Sequence, residues 1–145
     1  MERSIHLPVS LSSLSLLIAG SIYILFRTES LILFEWFQWL QLMPAMAELR
    51  TFSMPWASQL PEWVVFSLPD GLWLLSFLLF VRVVWADASK RAMWVWSGVG
   101  MTISFGHELA QALGVVPGTF DWVDLLAYLV ASAVALGPRW AEHLR

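Results

Sequence analysis

From Ser4 to Phe26 the chain carries no formal charge. A stretch of that length is enough to cross the hydrocarbon core of a bilayer as a helix, which needs roughly 20 apolar residues. Composition carries the same constraint through all 145 residues, of which 59% are hydrophobic and only 13% charged. A soluble domain is about 45–50% apolar and about 25% charged. There are too few charges here to cover a water-facing surface. That excludes disorder, a basic nucleic-acid-binding domain and a conventional soluble enzyme. The length suits one domain, and as a membrane bundle it leaves room for about four spans.

The first span is expected over residues 5–26. Arg3 gives it a short basic start, as a signal peptide has. However, Tyr23-Ile24-Leu25-Phe26 offers no small-residue cleavage site, so the segment should be retained. Ser12, Ser13, Ser15, Ser21 and Gly20 suit close helix contact. Residues 31–43 differ. Glu35, Gln38 and Gln41 lie three apart on one helical face, with Trp36, Phe37, Trp39 and Leu40 over the rest. That pattern predicts an amphipathic helix in the interface rather than a span. Pro44, Pro55, Pro61 and Pro69 then break the chain, and no long helix is expected between Ala45 and Leu68.

Three more spans are expected, over 70–85, 92–113 and 121–137. In the second, Arg82 should snorkel from the far end. Asp87, Lys90 and Arg91 mark a polar loop, and Val115 to Thr119 a tight turn. Ala127, Ala131 and Ala135 form a small-residue stripe on the last span, and Gly100 and Ser104 a similar pair on the third. The fold class is thus an all-α integral membrane protein, a four-transmembrane-helix bundle with an interfacial helix between its first and second spans.

Basic residues orient the threading. Of the eight Lys and Arg, Arg3, Arg82, Lys90, Arg91, Arg139 and Arg145 fall on one side, and Arg27 and Arg50 on the other. The richer side should be cytoplasmic, with both termini. The ten Trp suit headgroup level.

This threading gathers polar residues at the outer end. Asp70 opens the second span. His107, Glu108 and Gln111 close the third. Asp121 and Asp124 open the fourth. Ionisable groups at membrane depth are costly and are candidates for function. Capping competes for some of them. Ser67-Leu-Pro-Asp70 has capping-box spacing, and Asp121-Trp-Val-Asp124 resembles a cap. Glu108 sits in the C-terminal half of its helix, where a carboxylate opposes the dipole. It therefore stands between a ligand role and a hydrogen bond to a neighbouring helix. His107 points about 100° away from Glu108. No clustered metal-ligand pair shares a helix face, the chain has no Cys, and no cofactor is implied. A catalytic version would use Glu108 as general acid or base. No nucleophile signature accompanies it.

Glu108-Leu-Ala-Gln111, a short turn and Asp121-Trp-Val-Asp124-Leu-Leu-Ala-Tyr128 resemble the VanZ-like family of small multi-span bacterial membrane proteins. That family has a Glu-x-x-Gln pair ending one span, an Arg-containing turn, then an Asp opening the next span with Asn four residues on. Glu108 and Gln111 match the pair, and Asp124 or Asp121 matches the Asp. No Arg lies between Gln111 and Asp121, and Tyr128 stands where an Asn would follow Asp124. The resemblance covers residues 106–137 and implies the bacterial cytoplasmic membrane of the cell envelope.

Two functions fit these residues. In one, Glu108, Gln111, Asp121, Asp124, Asp70 and His107 hold a lipid headgroup or small polar ligand, and the spans hold its chain. In the other, the protein is a non-catalytic accessory or assembly subunit, packed against a larger membrane protein or a second copy of itself. Its partners are then the bilayer and protein, with no nucleic acid.

Overall fold

The computed structural model describes residues 6–28 and 32–137. Among them there is no strand. The helices are α1 (His6–Phe26), α2 (Ile32–Trp39), α3 (Met43–Ala57), α4 (Glu62–Val65), α5 (Ser67–Trp85), α6 (Lys90–Ala112) and α7 (Trp122–Leu136). The all-helical class expected from the sequence is observed. Two helices, His6–Phe26 and the α4–α5 rod Glu62–Trp85, are long and apolar enough to cross a bilayer, and α7 is a shorter apolar helix.

Helix α5 is the central element, packed by α1, α7 and α6. Small residues let its neighbours close in. A Cβ added at Gly71 would come within 2.9 Å of the Ala127 Cβ. Ala131 and Ala135 are buried with Leu74, Leu78, Leu79 and Tyr128 in the core. The alanine stripe of α7 thus packs where the sequence placed it. On the opposite face Ser12 Oγ donates to Ser76 O at 2.9 Å, joining α1 to α5. Gly20, by contrast, has open space around it and makes no close approach. Gly100 faces the Phe77 ring.

Several boundaries differ from the expectation. The second apolar helix starts at Ser67, and with α4 at Glu62, rather than at Asp70. Pro69 is tolerated there because first-turn amides have no intrahelical acceptor to lose. A helix of 15 residues, α3, also occupies part of the region where the prolines argued against one. Pro44 lies in its first turn and Pro55 two residues from its end. The first-turn position spares the helix the loss at Pro44, whereas Pro55 forgoes the bond to Thr51 O only in the last turn. Among the described residues of the expected interfacial segment, α2 covers Ile32–Trp39 and α3 starts at Met43. Between them the chain turns at Gln41, which adopts φ 58°, with Leu42 N–H bonded to Phe37 O at 2.8 Å.

Arg82 does not snorkel. It is 6% exposed and donates from Nη1 to Ala135 O at 2.7 Å. One of the last free carbonyls of α7 thereby gains a cationic donor, which also suits the negative end of the helix dipole. At the other end of the molecule α3 does the same for α1. Arg50 Nη1 donates to Ile24 O at 2.7 Å, and Ser53 Oγ to Leu25 O at 3.4 Å.

Candidate functional site

The first turns of α5 and α7 and the last turns of α6 lie at the same end of the molecule. Three local devices put them there. Helix α6 stops at a Schellman motif, in which Val115 N–H reaches Ala110 O at 2.8 Å and Gly114 N–H reaches Gln111 O at 3.0 Å. Gly114 takes φ +68° at that point. The chain then doubles back through Gly118 at φ +127°, where any side chain would collide with the Gln111 amide. Gln111 Nε2 donates to Pro117 O at 3.3 Å and ties the turn to α6. Finally, Asp121 caps α7, its Oδ1 accepting from Val123 N–H at 2.8 Å.

Between these ends and α1 lies a cavity of about 680 Å³. Asp70, His107, Glu108, Gln111, Asp121 and Asp124, the candidates from the sequence, all line it. So do Tyr23, Arg27, Glu62, Ser67 and Tyr128, which sequence reasoning did not assign to a site.

Asp121 is a cap, as one reading of its sequence held. Asp70 is not. Helix α5 has no side-chain cap, and Asp70 Oδ1 instead accepts from the Tyr23 hydroxyl at 2.7 Å. Glu108 is 3% exposed, and its Oε2 accepts from the Asp121 N–H at 3.3 Å. In a capping box that amide is taken by the residue three into the helix, here Asp124. Glu108 supplies this acceptor from α6 instead. Asp124 is thereby released, and its Oδ1 is buried with no hydrogen-bond partner. His107 is exposed at the rim beside it.

The lining is strongly acidic. Glu62, Asp70, Glu108, Asp121 and Asp124 line the cavity beside Arg27 and His107. Arg27 lies 5.0 Å from both the Tyr23 and the Phe66 ring centroids, a cation–π clamp that holds it at the mouth. The turn between Gln111 and Asp121 has no Arg, and the guanidinium at this cavity comes from the end of α1. No group of three or more His, Cys, Asp or Glu among the described residues is arranged to hold a metal.

Chemically, the cavity offers several hydrogen-bond acceptors with unmet capacity, one fixed cation and two phenols. It can bind a polar, cation-bearing group. No protein-family model, curated protein or solved structure matches the chain.

Proposed function

We propose that the protein is a multi-span membrane protein of the bacterial cytoplasmic membrane, related to the VanZ-like proteins its third and fourth spans resemble. In this reading its polar cavity faces outward and binds a lipid headgroup or small polar ligand. The exposure of apolar side chains supports the membrane setting. Only 17% of the most apolar window of α1 is buried. A soluble core helix would be mostly buried. Large apolar residues also stand exposed along α6 and α7, among them Trp94, Val99, Ile103, Leu126 and Val130. So much exposed apolar side chain fits a lipid-facing surface. Helices α6 and α7 then complete a four-span bundle. Helix α7 rises about 23 Å at 1.5 Å per residue, short of a hydrocarbon core of about 30 Å, so its ends would sit near headgroup level.

The observation that carries the binding role is the release of Asp124. A carboxylate oxygen buried without a partner costs free energy, and here it lines a cavity large enough for a ligand. Native mass spectrometry of the detergent-extracted protein, with lipid and metal analysis of the same sample, tests the role. A bound small molecule should be present and should be lost in Glu108→Gln, whose folding is retained. The same ligand occupancy in that variant would sink the proposal.

The accessory-subunit reading draws on α2 and α3, where Trp39 is 85% and Phe52 80% exposed. Under it, the same spectra would show a second protein at fixed stoichiometry and no ligand.

A further inference from the structure

The polar cavity does not end at its carboxylates. Trp63, Ser67 and Val123 line it and also line a groove of about 270 Å³ between α5 and α7. That groove is almost wholly apolar. It descends past Leu68, Leu72 and Leu75 on one wall and Leu126, Val130 and Val134 on the other. From Val123 to Val134 the helix rises about 17 Å at 1.5 Å per residue, close to the depth of one leaflet, about 15 Å of a 30 Å hydrocarbon core.

Ser67 stands where cavity and groove meet. It is 1% exposed, and its Oγ is buried with no hydrogen-bond partner. A helical serine ordinarily bonds back to a carbonyl of the preceding turn. Here Ser67 Oγ makes no such bond, and Trp63 O, the carbonyl four residues back, receives the Phe66 N–H instead. The Ser67 hydroxyl is left as a donor at a polar–apolar boundary. That boundary is where an amphiphile carries its ester and glycerol oxygens.

The charges select the headgroup. Five carboxylates, those of Glu62, Asp70, Glu108, Asp121 and Asp124, line the cavity together with Arg27. An anionic headgroup would meet repulsion over most of that wall. A headgroup with an ammonium and a phosphate would complement both parts.

We infer that cavity and groove form one site for an amine-bearing phospholipid. Its ammonium lies among the carboxylates of Asp70, Glu108 and Asp124, its phosphate toward Arg27, its linkage oxygens against Ser67 Oγ, and one acyl chain in the α5–α7 groove. This rests on the cavity being a headgroup site, and it adds the charge type, the chain and the hydroxyl contact.

The test uses the full chain in detergent, titrated by native mass spectrometry. Three probes are compared: dioleoyl phosphatidylethanolamine, dioleoyl phosphatidylglycerol and chainless glycerophosphoethanolamine. Phosphatidylethanolamine should bind at least about tenfold tighter than phosphatidylglycerol, a difference of about 1.4 kcal/mol. It should also bind at least about tenfold tighter than the chainless probe. Val130→Trp, which fills the groove from an exposed position, should collapse the advantage of the long-chain lipid over its chainless headgroup. Leu126→Trp is a second filler from the same wall. Ser67→Ala should weaken phosphatidylethanolamine by about threefold to tenfold, the loss of one hydrogen bond. Helicity by circular dichroism checks that each variant folds. Equal binding of both lipids, or an undiminished chain advantage in both folded Trp variants, overturns this inference. If Glu108→Gln still abolishes binding of the chainless probe in that case, the headgroup site survives. If no probe distinguishes wild type from Glu108→Gln, both fail.

Discussion

At the scale of single residues, the site is an exchange of hydrogen bonds. Asp121 caps its own helix, Glu108 takes the Asp121 amide from a neighbouring helix, and Asp124 is left facing the cavity. The three carboxylates therefore divide into structural and free ones, and their substitutions should divide likewise. Asp121→Ala should lower stability by about 0.5–2 kcal/mol, the usual cost of losing an N-cap. Asp124→Asn should cost no more than about 0.3–1 kcal/mol, the dipole contribution of a first-turn carboxylate, while reducing ligand occupancy. Thermal unfolding in detergent alongside mass spectrometry separates the two effects. Equal destabilisation by both would mean that Asp124 is also structural. The sequence showed which carboxylates meet, because the ends of apolar runs fix which residues share one end of the helix bundle. It did not show who bonds to whom. Asp70 had the spacing of a capping box with Ser67, and its actual partner is Tyr23, 47 residues away. A contact of that separation leaves no local pattern. A signal for the missed part did exist. Tyr23 and Arg27 lie four apart, at the C-terminal end of the first apolar run.

At the scale of elements, two contacts decide whether the ends of α5, α6 and α7 stay in register. Gly71 lets α5 meet α7 through Ala127, with Ala127 backbone atoms at 3.2–3.3 Å from an added Cβ. Backbone cannot yield as a flexible side chain can. Gly71→Leu should therefore destabilise by about 1–3 kcal/mol, the usual cost of overpacking, and should widen the groove wall. Arg82 ties the other ends of the same pair through Ala135 O. Arg82→Ala should cost about 1.5–3 kcal/mol, as expected for a hydrogen bond from a charged group. Denaturation midpoints in detergent check both, and an unchanged midpoint for Arg82→Ala would make that contact incidental. The helices themselves were legible wherever an uncharged run met polar ends. Helix α1 ends at Phe26, where the expected span ends. Helix α3 was not legible, since a proline count says nothing of where in a turn each proline falls. Arg82 was misplaced for a related reason. A cation near a span end suits either headgroups or a neighbour's carbonyls, and only the packing of α7 chooses between them.

At the scale of the whole molecule, the proposed function depends on which way the bundle faces. The polar cavity and the Ala86–Ser89 turn lie at opposite ends of α5 and α6. Under the proposed topology the bias of Lys and Arg puts the turn on the cytoplasmic side. An outward cavity meets lipids and solutes of the outer leaflet, whereas an inward cavity would meet cytoplasmic ligands instead. The chain has no cysteine, so single cysteines can report sidedness without background. Gln59, Ala88 and Val115 are exposed and lie in turns. In intact spheroplasts, a membrane-impermeant maleimide should label Gln59→Cys and Val115→Cys and leave Ala88→Cys unmodified until lysis. The reverse pattern would turn the cavity inward and remove outer-leaflet lipids as its ligands. Labelling of Gln59→Cys and Val115→Cys from opposite sides would break the four-span threading. In that case the ends of α5 and α6 that form the cavity would no longer share one face of the membrane. The acidic cavity built from those ends would then not form in the membrane, and the proposed site would fall with it.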